Sequence, residues 1–139
     1  MKRVVLDTNV IVSGMIKAEG IPGQIMRAWR ENKFILLLSP PIFEEIGRVI
    51  RQPKVVKYHK LKEEEIQDFL LDLYSASEET EGKIKVNVTK DPTDNLFLAC
   101  AKEGKADYIV TGDKDFLKLE EYEGIKIINP AQFLKRERF

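Results

Sequence analysis

One cysteine and one histidine in 139 residues leave little room for soft-metal or thiol chemistry. Cys100 has no partner for an intramolecular disulfide and cannot build a multi-cysteine zinc site. It stands in the apolar stretch Leu96 to Ala101, where a free thiol behaves as a small hydrophobe. Net charge is also missing, since 23 Lys and Arg balance 23 Asp and Glu. That balance argues against retention on nucleic acid by bulk electrostatics and leaves local patches as the charged features that matter. No apolar run comes near the ~20 residues needed to cross a bilayer. The opening Met1-Lys2-Arg3 runs straight into Val4-Val5-Leu6 without the apolar segment and small-residue cleavage site of a signal peptide, so a cytoplasmic protein with no membrane contact is expected.

What is present is material for a core: 43% of the residues are hydrophobic, enough for a chain of this length to fold without a staple. Short apolar runs of β type recur at Val4 to Leu6, Phe34 to Leu38, Ile84 to Val88, Tyr108 to Val110 and Ile125 to Ile128, predicting about five strands. Helical periodicity lies between them, carried by Ile25, Met26 and Trp29; by Ile42, Ile46, Val49 and Ile50; by Leu61, Ile66, Phe69, Leu70 and Leu73; and by Leu96, Phe97 and Cys100. Alternation of strand and helix predicts an α/β fold, a three-layer α/β/α sandwich around a mostly parallel central sheet. Gly and Pro mark the joints, and no stretch is long or biased enough for an interdomain linker.

Ligands of open parallel sheets bind at the carboxyl ends of the strands, so the polar residues standing there are the candidates. Asp7 follows the first strand, Glu45 lies early in the helix after the second, Asp94 opens the helix after the third, and Asp113 follows the fourth. Asp7, directly behind Val-Val-Leu, gains little as solubilising charge. Asp91-Pro92-Thr93-Asp94 has the form of a helix start, with Asp91 as N-cap and Asp94 in the first turn. At about 100° per residue, Glu45 falls roughly 85° from the centre of the Ile42, Ile46, Val49, Ile50 stripe, whereas Glu44 is nearly opposite it. Asp115, immediately before Phe116-Leu117, reads as the N-cap of a short helix, which leaves Asp113 free for the site. Carboxylates crowded at one sheet end repel one another unless protons or cations intervene. Hard oxygen ligands without His or Cys select Mg2+ or Mn2+ over Zn2+, and such a site suits phosphodiester hydrolysis.

At these residues the chain resembles the PIN-domain family, and specifically its small prokaryotic members, which include the toxins of type II toxin–antitoxin pairs. The resemblance rests on Leu6-Asp7-Thr8-Asn9, on Glu45-Ile46 after Ser39-Pro40, on the Asp94 helix with Ala99 and Ala101, and on Thr111-Gly112-Asp113-Lys114-Asp115-Phe116. Covering essentially the whole chain, it implies one PIN-like domain over residues 1–139. It further implies a Mg2+- or Mn2+-dependent endoribonuclease whose metal and catalytic acids are Asp7, Glu45, Asp94 and Asp113, supported by Thr8, Asn9, Thr111 and Asp115. A homodimer and an antitoxin partner that blocks the acidic site are implied as well, and the same domain also serves in RNA processing without a toxin role. Two readings from other classes stand beside it. A phosphatase of the haloacid dehalogenase type needs a second Asp where this chain has Asn9, and a non-catalytic binding module predicts degraded acids where all four are intact.

Between Glu45 and Glu63 no acid occurs, while Arg48, Arg51, Lys54, Lys57, Lys60 and Lys62 do. Because this run begins on the helix of Glu45, it is a candidate track for an RNA backbone, with Arg48, Arg51, Lys54 and Lys57 as its contacts and Tyr58 or His59 available to stack on a base. The competing reading is a solvated helix face paired with the acids that follow.

Overall fold

The computed structural model describes residues 1–139. The elements run β1 (Arg3–Leu6), α1 (Thr8–Ile16), α2 (Ile21–Arg30), β2 (Ile35–Leu38), α3 (Pro40–Ile50), α4 (Pro53–His59), α5 (Glu63–Ser75), β3 (Glu78–Glu79), α6 (Pro92–Glu103), β4 (Tyr108–Val110), α7 (Lys114–Leu117), β5 (Glu121–Tyr122), β6 (Ile125–Ile128) and α8 (Pro130–Glu137). The six strands form one sheet in the order β3-β2-β1-β4-β6-β5. Every pairing is parallel except β5 with β6. Helices flank the sheet, giving the α/β sandwich that the alternating pattern predicts.

The strands β1, β2 and β4 are almost wholly buried, as their unbroken apolar runs require of strands covered on both faces. From β1 the chain crosses to β2 on one side, and from β3 it returns past both to β4 on the other. Right-handed crossovers in opposite directions put α1–α2 and α6 on opposite faces of the sheet. The reversal between β1 and β4 is the topological switch point, where a crevice opens at the strand carboxyl ends. Close approach of α1 and α2 depends on Gly14, because a Cβ there would fall 2.5 Å from Met26 Cγ and 2.6 Å from the Pro22 carbonyl oxygen.

The strand expected over Ile84 to Val88 does not form. The backbone amides of Gly82, Lys83 and Ile84 donate to the Glu103 carboxylate (2.9, 3.0 and 3.2 Å) instead of to a neighbouring strand, and Ile84 and Val88 are exposed. The place beside β2 is taken by Glu78–Glu79, which carries no β-type side chain; Arg3 on β1 pairs with Glu78 and the Tyr74 hydroxyl donates to Glu79 (2.6 Å). A strand this short and this charged is an ordinary guarded sheet edge, which periodicity does not reveal.

Candidate metal centre

Four chain segments meet at the switch point. β1 ends at Leu6, and Asp7 caps α1 by accepting the Asn9 amide on Oδ1 (3.0 Å). β4 ends at Val110; next in sequence, the buried Thr111 donates its hydroxyl to Asp7 Oδ2 (2.6 Å) and accepts the Asp113 amide on the same oxygen (3.1 Å). α6 begins after Asp91, whose Oδ1 accepts the Thr93 amide (2.8 Å), and its first turn carries Asp94. The fourth segment, α3, begins at Pro40 with Ser39 as its N-cap and brings Glu45 to the same space.

The result is an open cavity of about 560 Å³ lined by Asp7, Thr8, Asn9, Glu45, Asp91, Thr93, Asp94, Phe97, Gly112 and Asp113. Phe97, the single hydrophobic lining residue, stacks on Phe116 with ring centroids 6.4 Å apart. Within the cavity Asp91, Asp94 and Asp113 form the tight cluster, each offering a carboxylate oxygen within 4.8 Å of the others. Asp7 and Glu45 line the walls. Asp94 is only 6% exposed, and Asp7 7%.

The electrostatics follow from that crowding. Burial, followed by the charges of Asp91, Asp113, Asp7 and Asp115, pushes the Asp94 carboxyl up to about 7. Burial also raises Asp7, against which its hydrogen bonds from Thr111 and Asn9 work, and Asp113 and Asp91 add to the rise. A group of acids arranged to raise one another favours any species that brings positive charge. Thr8 adds a second sign: its Oγ1 is buried at the cavity wall and has no hydrogen-bond partner in the protein. Carboxylates, a spare hydroxyl and no imidazole or thiolate make a donor set for a hard divalent cation.

Several residues are placed differently from what the sequence leads one to expect. Asp113, not Asp115, is the N-cap of α7, its Oδ1 accepting the Asp115 amide (2.9 Å). The α7 helix starts two residues earlier than the Phe116-Leu117 pattern suggests, so Asp113 both caps a helix and faces the cavity. Asp115 is exposed, pairs with Lys118 (3.3 Å) and reaches the site through its charge on Asp94. Asp91 is a cap, as its spacing to Pro92 indicates, yet it is also a member of the tight cluster. Only one of its oxygens is needed for the cap, and that remainder is the signal that a capping argument overlooks. In the basic run, Arg48 pairs with Glu45 and Arg51 with Glu63 (2.8 Å), while Lys54, Lys57 and Tyr58 are exposed. The His59 ring is held in one orientation: Nδ1 accepts the Leu61 amide (2.9 Å), so Nε2 donates to the Ile50 carbonyl (2.8 Å). Cys100 is buried, and burial first of all pushes its thiol up to about 11, in keeping with an inert apolar role.

An open α/β sheet with an acidic, cation-suited cavity at its switch point defines the class. A family model described as the PIN domain matches residues 3–115. An uncharacterized protein of Methanocaldococcus jannaschii is 40% identical over 146 aligned positions, which span 99% of this chain and 93% of that protein. The crystal structure of VapBC2 from Rickettsia felis bound to a DNA fragment from its promoter matches with a TM-score of 0.58 at 17% identity, over 91% of this chain and 98% of that one, a likeness of fold. The chain belongs to the PIN-domain family. PIN domains are generally nucleases that use divalent metals, and the acidic cluster fits that activity.

Proposed function

We propose that this protein is a metal-dependent endoribonuclease that hydrolyses RNA phosphodiester bonds at the cavity between β1, β4, α3 and α6, with Mg2+ or Mn2+ as its ion, acting as a single domain over residues 1–139. The observation that carries the reading is the convergence of Asp91, Asp94 and Asp113 to within 4.8 Å beside the buried Asp7. Asp94, Asp113, Asp7 and Glu45 are the acids assigned to the metal and to catalysis, and Asp91 joins them. Such an ion supplies the positive charge that a phosphodiester needs as negative charge builds on its oxygens. The chain's own groups do the rest. Thr111 orients Asp7 through its hydroxyl, and Thr8 offers a buried oxygen at the wall. Asn9, exposed at the cavity mouth, stands where a phosphatase of the haloacid dehalogenase type requires an acid.

The biological role we propose is that of the toxin in a toxin–antitoxin pair, a cytoplasmic homodimer inhibited by an antitoxin. Support comes from the family and from the fold shared with VapBC2 of Rickettsia felis, which was crystallised with DNA from its own promoter. No helix is long and apolar enough to cross a membrane. The test is to offer the purified chain single-stranded RNA and a small phosphomonoester in Mg2+ or Mn2+. Cleavage of RNA alone supports the nuclease; hydrolysis of the phosphomonoester alone contradicts it, and so does inertness toward both.

A further inference from the structure

The segment between β3 and α6 delivers Asp91 to the metal cluster, yet from Ile84 onward it joins no strand. Asn95 holds it. From the first turns of α6 its Oδ1 accepts the amides of Val88 (3.1 Å) and Thr89 (3.0 Å), and its Nδ2 donates to the Thr89 carbonyl (3.0 Å). Two amide donors on one side and a carbonyl on the other fix the orientation of the side-chain amide without ambiguity. The Thr89 hydroxyl donates in turn to the Asp91 carbonyl oxygen (3.0 Å), which also accepts the Asn95 backbone amide (3.2 Å). Asn95 thus grips the chain two residues before Asp91 with its side chain and Asp91 itself with its backbone. Asp94, one residue away, is fixed by the helix alone.

We propose that Asn95 is a positioning residue of the metal centre, acting through Thr89 to hold the Asp91 carboxylate at ligand distance from Asp94 and Asp113. The inference rests on the metal-centre reading above and adds to it the element that makes a loop carboxylate as well placed as a helical one. A loop ligand without such support loses affinity, because the ion must then order the loop when it binds. Asn95 touches neither ion nor substrate, so its effect exists only while Asp91 carries a charge to place.

The experiment measures Mn2+ affinity of the full chain by titration, with thermal unfolding alongside, for wild type, Asn95→Ala, Asp91→Asn and the double variant. Asp91→Asn keeps the capping oxygen and removes the charge. Asn95→Ala is expected to weaken Mn2+ binding about tenfold, at the low end for outer-shell partners of metal ligands. In the Asp91→Asn background the same change is expected to cost no further affinity, although it still lowers the unfolding temperature, as non-additivity of coupled residues requires. Unchanged Mn2+ affinity in Asn95→Ala overturns the proposal, as does a loss of equal size in the Asp91→Asn background. Should Asn95→Ala fail to fold, Thr89→Val decides, since it removes only the hydroxyl link: weaker Mn2+ binding supports the clamp and wild-type binding overturns it. A wild-type chain that binds no Mn2+, or whose binding Asp94→Asn leaves unchanged, brings down the metal-centre reading and the clamp with it.

Discussion

The hydroxyl of Thr111 donates to Asp7 Oδ2 at 2.6 Å across 104 residues of sequence, tying the end of β4 to the end of β1 at the point where the cavity opens. The same oxygen accepts the Asp113 amide, so one buried threonine orders two of the acids. Replacing it with the isosteric valine leaves a buried carboxylate oxygen and an amide without their partner. Thr111→Val is expected to cost about 1–3 kcal/mol of stability, the usual penalty for a buried polar group left unpaired. Chemical denaturation measures this, and a change within about 0.5 kcal/mol, the range of ordinary surface substitutions, contradicts it.

Glu45 and Glu44 are neighbours with different surroundings. Glu45 lines the acidic cavity and is mostly covered, whereas Glu44 is exposed on the flank that faces an apolar groove with Phe43 and Tyr74. Glu45→Gln is expected to abolish metal-dependent cleavage and Glu44→Gln to leave it near wild type. Equal losses in an RNA cleavage assay contradict the assignment.

The metal-free protein carries a pH signature. Asp94 titrates at about 7 in the fold, from an ordinary value of about 3.9 in an unfolded chain, and Asp7 is shifted in the same direction. The folded state therefore holds its proton more tightly, so stability falls as pH rises from about 4 to about 7 and levels off above that. Glu63 and Glu78, lowered by their arginine partners, act oppositely, their contribution being lost as pH falls through the acid range. Melting temperatures in EDTA between pH 5 and 8 are expected to decline for wild type and to decline less for Asp94→Asn. Parallel curves contradict this.

The basic run predicts salt-dependent binding carried by lysines. Arg51 is committed to Glu63 and Arg48 to Glu45, but Lys54 and Lys57 face solvent on α4. With Ca2+ present to occupy the site without supporting cleavage, changing both lysines to Ala is expected to weaken RNA binding and lower the salt slope by up to about 1.4, at ~0.7 per single-strand phosphate contact. An unchanged slope assigns them to plain surface.

Much of this architecture is legible in the sequence because buried parallel strands must be continuous apolar runs, as at Val4 to Leu6 and Tyr108 to Val110, and because acids directly behind such runs stand at strand ends. Ile84 to Val88 misleads for a physical reason. Its alternation suits a strand, but Glu103 takes the amides at its start and Asn95 those at its end, and both are side chains on α6 whose reach no local pattern encodes. Asp91 is hidden by the reverse effect: its capping role is so plainly written in Asp-Pro that a second role for the same carboxylate goes unread. The pairing of Arg51 with Glu63 is long in range as well, since it depends on how the end of α3 meets the start of α5, whereas Arg48 and Glu45 stand three residues apart on α3.

The most direct measurement is RNA cleavage with end-group analysis, run with Mg2+ or Mn2+, with excess EDTA, and with Asp7→Asn as the matched variant. A carboxylate metal centre predicts 5′-phosphate and 3′-hydroxyl ends, loss of cleavage in EDTA with recovery on adding Mn2+, and at least about a hundredfold lower rate for a folded Asp7→Asn, comparable with removal of a principal electrostatic stabiliser. Cleavage that persists in EDTA, or that leaves 2′,3′-cyclic phosphate, contradicts it.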